Sequence, residues 1–79
     1  MAIEKIREIL AKNGRLSTSV DQLADDSDLY NAGLTSLATV GVMLALEEEF
    51  DIEIPDSMLG RKTFASIQSI ANVVNQLKS

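Results

Sequence analysis

The chain has 79 residues, 46% hydrophobic and 24% charged, with one Pro and four Gly. That size leaves room for one small core, so a single domain over residues 1–79 is expected, and the composition excludes a disordered or low-complexity chain. Twelve acidic residues against seven basic ones give a formal net charge of -5, the wrong sign for neutralising nucleic-acid phosphates or anionic lipid, so the expected partners are basic protein surfaces.

Neither Cys nor His is present. Disulfides, thiolate or imidazole metal sites, Cys nucleophiles and the commonest general base are all removed, so the chain is not expected to be an enzyme. Met1-Ala2-Ile3-Glu4-Lys5 lacks a basic flank followed by a long apolar stretch, and no later run has bilayer length. A cytoplasmic protein without a membrane partner is expected.

Ile3, Ile6, Ile9 and Leu10 recur at helical spacing with charged residues between them, and Asn13-Gly14 supplies a stop. From Arg15 to about Thr35 the period fails and turn formers take over, yet Leu16, Val20, Leu23, Leu29 and Leu34 are scattered through the segment. A bare loop that long is unusual in a small domain, so those apolar residues predict a loop packed against the core. Ser36 to Phe50 is rich in helix formers, and Thr35 or Ser36 can cap its start. Ile52-Glu53-Ile54-Pro55 reads as extended chain, Asp56 can cap a short helical turn through Met58 and Leu59, and Gly60-Arg61-Lys62 closes that turn. Ile67, Ile70, Ala71, Val74 and Leu77 predict a last helix, with Thr63 or Ser66 as its cap and Lys78 at its negative end.

The second helix carries the functional signal. Leu37 to Leu46 contains no charged residue, and its apolar side chains surround the axis. A domain this small has difficulty burying such a helix on every side. One reading is a core helix whose exposed side is the small set Ala38, Gly41 and Ala45; the other is a docking surface. Ser36 opens this helix, where converging N–H groups and the dipole favour an anionic substituent such as a phosphodiester, although serine caps are far commoner than modified serines. Asp26-Ser27-Asp28 is not read as a calcium loop, because Tyr30 falls where an oxygen ligand belongs, and no metal is expected. Asp28 and Leu29 are read as loop anchors.

Asp28-Leu29-Tyr30, then Gly33-Leu34-Thr35-Ser36-Leu37, then Ala45-Leu46-Glu47-Glu48-Glu49-Phe50-Asp51-Ile52-Glu53-Ile54-Pro55-Asp56 closely resemble the acyl and peptidyl carrier protein family across nearly the whole chain. The resemblance implies an all-α bundle of three main helices plus one short helix, with a long loop between helices I and II. It implies that Ser36 receives 4'-phosphopantetheine from coenzyme A through a phosphopantetheinyl transferase, and that cargo rides as a thioester on this arm. The arm would supply the thiol that the polypeptide lacks. Thr35, Leu37, Ala38, Gly41, Ala45 and Glu48 are the implied partner contacts, with Glu47, Glu49, Asp51, Glu53 and Asp56 adding an acidic field. Val42, Leu46 and Ile54 would line any shelter for an acyl chain.

Thr35 stands where the family usually has Asp, and Ala38 and Gly41 stand where many fatty-acid carriers have acidic residues. These departures weigh against general fatty-acid synthesis. Thr35-Ser36-Leu37-Ala38 with Gly41, and Arg61 to Ile67, resemble small stand-alone bacterial carriers loaded by amino acid:carrier protein ligases. The expected function is therefore a monomeric aminoacyl carrier, loaded by an amino acid:carrier protein ligase or another acyl-loading enzyme, that passes its cargo to a downstream acyltransferase. A specialised fatty-acyl carrier and an unmodified helical docking module are the alternatives.

Overall fold

The computed structural model describes residues 2–78. Three helices, α1 (Ala2–Asn13), α2 (Ser36–Phe50) and α3 (Ile67–Lys78), pack side by side, and no strand occurs among the described residues. The apolar period of each helix explains the arrangement: Ile6 and Leu10 of α1, Val42 and Leu46 of α2, and Ile67, Ile70 and Val74 of α3 meet in one core with at most 1% of any of them exposed. No helix of the described residues is long and apolar enough to cross a membrane.

The long loop is part of that core, as its leucines predict. Leu29 is fully buried, Leu34 and Val20 nearly so, and a 3₁₀ turn, Val20–Gln22, interrupts the loop. Backbone and side chain both hold it down. The Leu29 N–H donates to the Ala65 carbonyl at 2.8 Å, the Gln68 N–H donates to the Asp25 carbonyl at 2.9 Å, and Arg7 donates from Nη1 to the Val20 carbonyl and from Nη2 to Asp25 Oδ1, both at 2.8 Å. Asp28 Oδ1 accepts the N–H groups of Tyr30 and Asn31, so Asp28 and Leu29 anchor the loop as expected.

Several local expectations need correction. The stop after α1 is more particular than a flexible Gly. Arg15 takes the left-handed φ of 53°, while Gly14 is there because a Cβ would lie 2.8 Å from the Leu10 carbonyl oxygen. Asp56 is not a cap: Pro55 precedes the 3₁₀ turn Asp56–Met58, and no side chain caps it. Gly60-Arg61-Lys62 does not simply close that turn but opens a second one, Arg61–Phe64, because Phe64 reaches the core and is only 4% exposed. The one short helix of the sequence reading is thus a pair of 3₁₀ turns. Between the two candidate caps of α3, Ser66 accepts the Ser69 N–H at 3.1 Å, while the Thr63 hydroxyl donates to the Met58 carbonyl.

The exit from α2 is pinned by Glu47, whose Oε2 accepts the Ile54 N–H at 2.9 Å, and by Asp51, which ends the helix at a left-handed φ of 53°. Glu47 is therefore a brace for the extended segment rather than a free member of the acidic run. Leu46→Ala, which empties a fully enclosed position, is expected to lower the unfolding free energy by about 2–5 kcal/mol. Gly33→Ala is expected to lower it by about 1–3 kcal/mol, since Gly33 holds a φ of 111° with the Ser17 N and Oγ 2.8 Å from a Cβ. Urea unfolding followed by helical circular dichroism measures both.

Candidate functional site

Thr35 ends the loop in extended conformation and its Oγ1 accepts the Ala38 N–H at 3.1 Å, which settles the cap of α2 in favour of Thr35. Ser36 is then the first helical residue. Its side chain is exposed, and its Oγ has no hydrogen-bond partner among the described residues. The first turn of α2 has no acidic residue, so no side chain of that turn neutralises the positive end of the helix beside this hydroxyl. A free hydroxyl held at a rigid helix start can be esterified without disturbing the cap.

Ser36 forms part of the wall of a cavity of about 220 Å³ that runs to Leu59, Gly60, Arg61 and Phe64, with Tyr30 at its edge. The Tyr30 hydroxyl donates to the Arg61 carbonyl at 2.9 Å, and the Arg61 guanidinium lies 3.9 Å from the centre of the Tyr30 ring. Burial pushes the Tyr30 phenol above its ordinary value of 10.0; Arg61 opposes that shift and Asp28 adds to it. Sequence reasoning did not single out this pair, and the only signal for it was a tyrosine in the loop and a basic residue after Gly60.

A larger groove, of about 450 Å³, joins the end of α1 to the start of α2 and is lined by Lys12, Asn13, Arg15, Thr35, Leu37, Ala38 and Gly41. Four of the residues expected at a partner surface meet there. Ala45 and Glu48 lie further along α2. The expectation that Ala38, Gly41 and Ala45 form the exposed side is overturned: Ala38 is buried and Gly41 and Ala45 are half-buried. Ala38, Val42 and Leu46 recur every fourth residue on the core face. Gly41 flanks that face, where a Cβ would stand 3.9 Å from the Asn13 carbonyl oxygen, so its small size fits the close passage of α1. The outer stripe is instead Leu37, Val40 and Leu44, which are 85%, 50% and 56% exposed, and it continues into exposed Glu48. Val42, Leu46 and Ile54, the expected lining of an acyl shelter, are closed into the core. No group of acidic side chains among the described residues could hold a metal ion.

Comparison with known proteins agrees with this geometry. Residues 4–75 match the family described as phosphopantetheine attachment site. The chain is 61% identical over 69 residues to an aminoacyl carrier protein of Agrobacterium fabrum, covering 87% of this chain and 83% of that one. It is 33% identical over 79 residues to an acyl carrier protein of Clostridium acetobutylicum, covering 100% and 95%. Its fold matches a chain in the crystal structure of an engineered Bradyrhizobium japonicum glycine:[carrier protein] ligase complexed with carrier protein from Agrobacterium tumefaciens and ATP, with a TM-score of 0.92, 55% identity, and 96% and 99% of the two chains covered. A holo acyl carrier protein from Nitrosomonas europaea superposes with a TM-score of 0.84 at 33% identity, over 96% and 94% of the two chains. The chain belongs to the acyl carrier protein family. Its function is that of a carrier, in a family that is not itself catalytic.

Two outcomes separate the cap from the free hydroxyl. Thr35→Ala is expected to cost about 1 kcal/mol of stability, whereas Ser36→Ala is expected to stay within about 0.5 kcal/mol of the parent, both read by denaturant unfolding. In addition, the chain has one Tyr and no Trp, so absorbance reads Tyr30 alone. A phenol raised above 10.0 on folding contributes stability that is complete below that pH and is lost as pH rises through the folded value. Arg61→Gln, by removing the opposing charge, is expected to move that absorbance titration to still higher pH.

Proposed function

We propose that this protein is an aminoacyl carrier in which Ser36 bears 4'-phosphopantetheine. The observation that carries the reading is the exposed, unbonded Ser36 hydroxyl beside a separate cap residue. In the loading step a transferase base takes the hydroxyl proton as Ser36 Oγ bonds to the phosphorus next to the pantetheine. The pyrophosphate P–O bond of coenzyme A breaks and adenosine 3',5'-bisphosphate leaves. The positive start of α2 fits a phosphodiester at that atom. Once bound, the arm supplies a mobile thiol, which a chain without Cys does not have.

An aminoacyl cargo is supported by the 61% identity to an aminoacyl carrier protein and by likeness to chains solved with glycine:[carrier protein] ligase. Among the structures of that ligase, one holds a glycylated carrier protein. The closed core around Val42, Leu46 and Ile54 favours a short polar cargo over a long acyl chain. An amino acid:carrier protein ligase would load the thiol and an acyltransferase would remove the cargo. Both would dock on the Leu37, Val40 and Leu44 stripe and on the groove containing Thr35, Ala38 and Gly41, with Ala45 at its margin and Glu48 steering a basic partner. The working unit in this reading is one carrier domain spanning residues 1–79, monomeric and cytoplasmic, where ATP for the ligase is at hand.

Incubation with coenzyme A and a broad-specificity transferase is expected to add one phosphopantetheine to the parent and nothing to Ser36→Ala, read by intact mass. A specific ligase is then expected to add an amino acid and no fatty acid. Leu44→Glu and Gly41→Glu are expected to raise the ligase KM about tenfold or more while leaving phosphopantetheine attachable. An unchanged KM in both variants would remove α2 from the docking surface.

A further inference from the structure

Arg61 has no task in the loading step or on the docking stripe, yet its position is fixed at two points. Its carbonyl accepts the Tyr30 hydroxyl and its guanidinium lies over the Tyr30 ring. Three other cations are engaged, Arg7 with Asp25, Lys5 near Glu8 and Glu49, and Lys78 with the Phe50 carbonyl; Lys12, Arg15 and Lys62 pair with no carboxylate among the described residues, but none of them lines the cavity beside Ser36. Arg61 pairs with no carboxylate among the described residues, and its N–H donors have no acceptor there. Asp26 and Asp28 line the neighbouring groove on the far side of the same Tyr30–Arg61 pair, but Asp28 Oδ1 is already taken by two backbone N–H groups.

The near side of that pair is the open cavity whose wall Ser36 shares. Gly60 forms part of its wall, and a Cβ there would meet nothing within 4 Å, so the space beside Arg61 is open. A planar guanidinium with free donors and a fixed stem is the group suited to two oxygens of a phosphate. We infer that Arg61, seated on Tyr30, is the positioning residue for the phosphodiester on Ser36, holding the root of the arm in the cavity beside Gly60. The outer stripe of α2 then stays uncovered for a partner. This inference rests on Ser36 being the attachment point. An exposed ion pair of this kind adds little to stability, so its effect lies in where the arm leaves the protein.

The test uses the full chain labelled with 15N, as apo protein and as holo protein verified by intact mass. The Arg61 Nε–Hε resonance is expected to shift between apo and holo, and the shift is expected to be lost at high salt. The 31P resonance of the holo protein is expected to move in Arg61→Gln and to be restored only in part in Arg61→Lys, which keeps the charge but not the two-oxygen fork or the seat on Tyr30, with unchanged backbone amide spectra showing that both variants fold. An Arg61 resonance that stays in place on conversion to mass-verified holo protein, or a 31P resonance indifferent to Arg61→Gln, overturns the inference and leaves the carrier reading standing. Failure of the parent to gain any mass overturns the carrier reading, and the role of Arg61 with it.

Discussion

A helix start needs one side chain to accept its stranded N–H groups, and in this protein Thr35 does so through a single bond to the Ala38 N–H. That bond marks where α2 begins, just ahead of the face on which Ala38, Val42 and Leu46 meet the core. It also frees the next residue. Had Ser36 been the cap, its hydroxyl would be engaged with backbone and turned inward; as the first helical residue it points into solvent with nothing to hold it.

A second constraint is size. With so short a chain, the loop between α1 and α2 has to serve as wall as well as connection, and Leu29, Leu34 and Val20 make it so. Arg7 ties the loop to α1, and the backbone bonds from Leu29 and Gln68 tie it to the start of α3. The Ser36 region is thus a loosely covered edge of a well-anchored frame. An arm attached there would have a fixed origin, with the mobility left to the arm itself.

The three helices were legible because the apolar residues of α1 and α3 repeat at the helical period and because the α2 segment has no strong breaker. The proposal of Ser36 rests on the surrounding motif rather than on any property of the residue, since Thr35 and Ser36 are equally able to cap by sequence and only geometry separates them. Which stripe of α2 is exposed is not legible in the sequence for a physical reason. In a helix that is apolar all round there is no polar face to set its phase, and of the two readings the one with the small residues outside fails because Ala38 is buried and Gly41 sits where α1 passes near. The roles of Gly14 and Glu47 and the Tyr30–Arg61 pair arise from contacts distant in sequence or from close backbone approach, neither of which leaves a periodic trace.

With the arm on Ser36 as proposed, the neutral first turn of α2 would bear on the lifetime of the protein. Where a family member carries Asp before the serine, esterification places a second negative charge beside an existing one. Here an anionic group on Ser36 would be the first negative charge at the positive end of the helix, an arrangement that stabilises by about 0.3–1 kcal/mol. The unfolded fraction would then be about two- to fivefold smaller in the modified chain. Proteases that sample the unfolded state would clear unmodified chains first, and the pool would enrich itself in carriers ready for work.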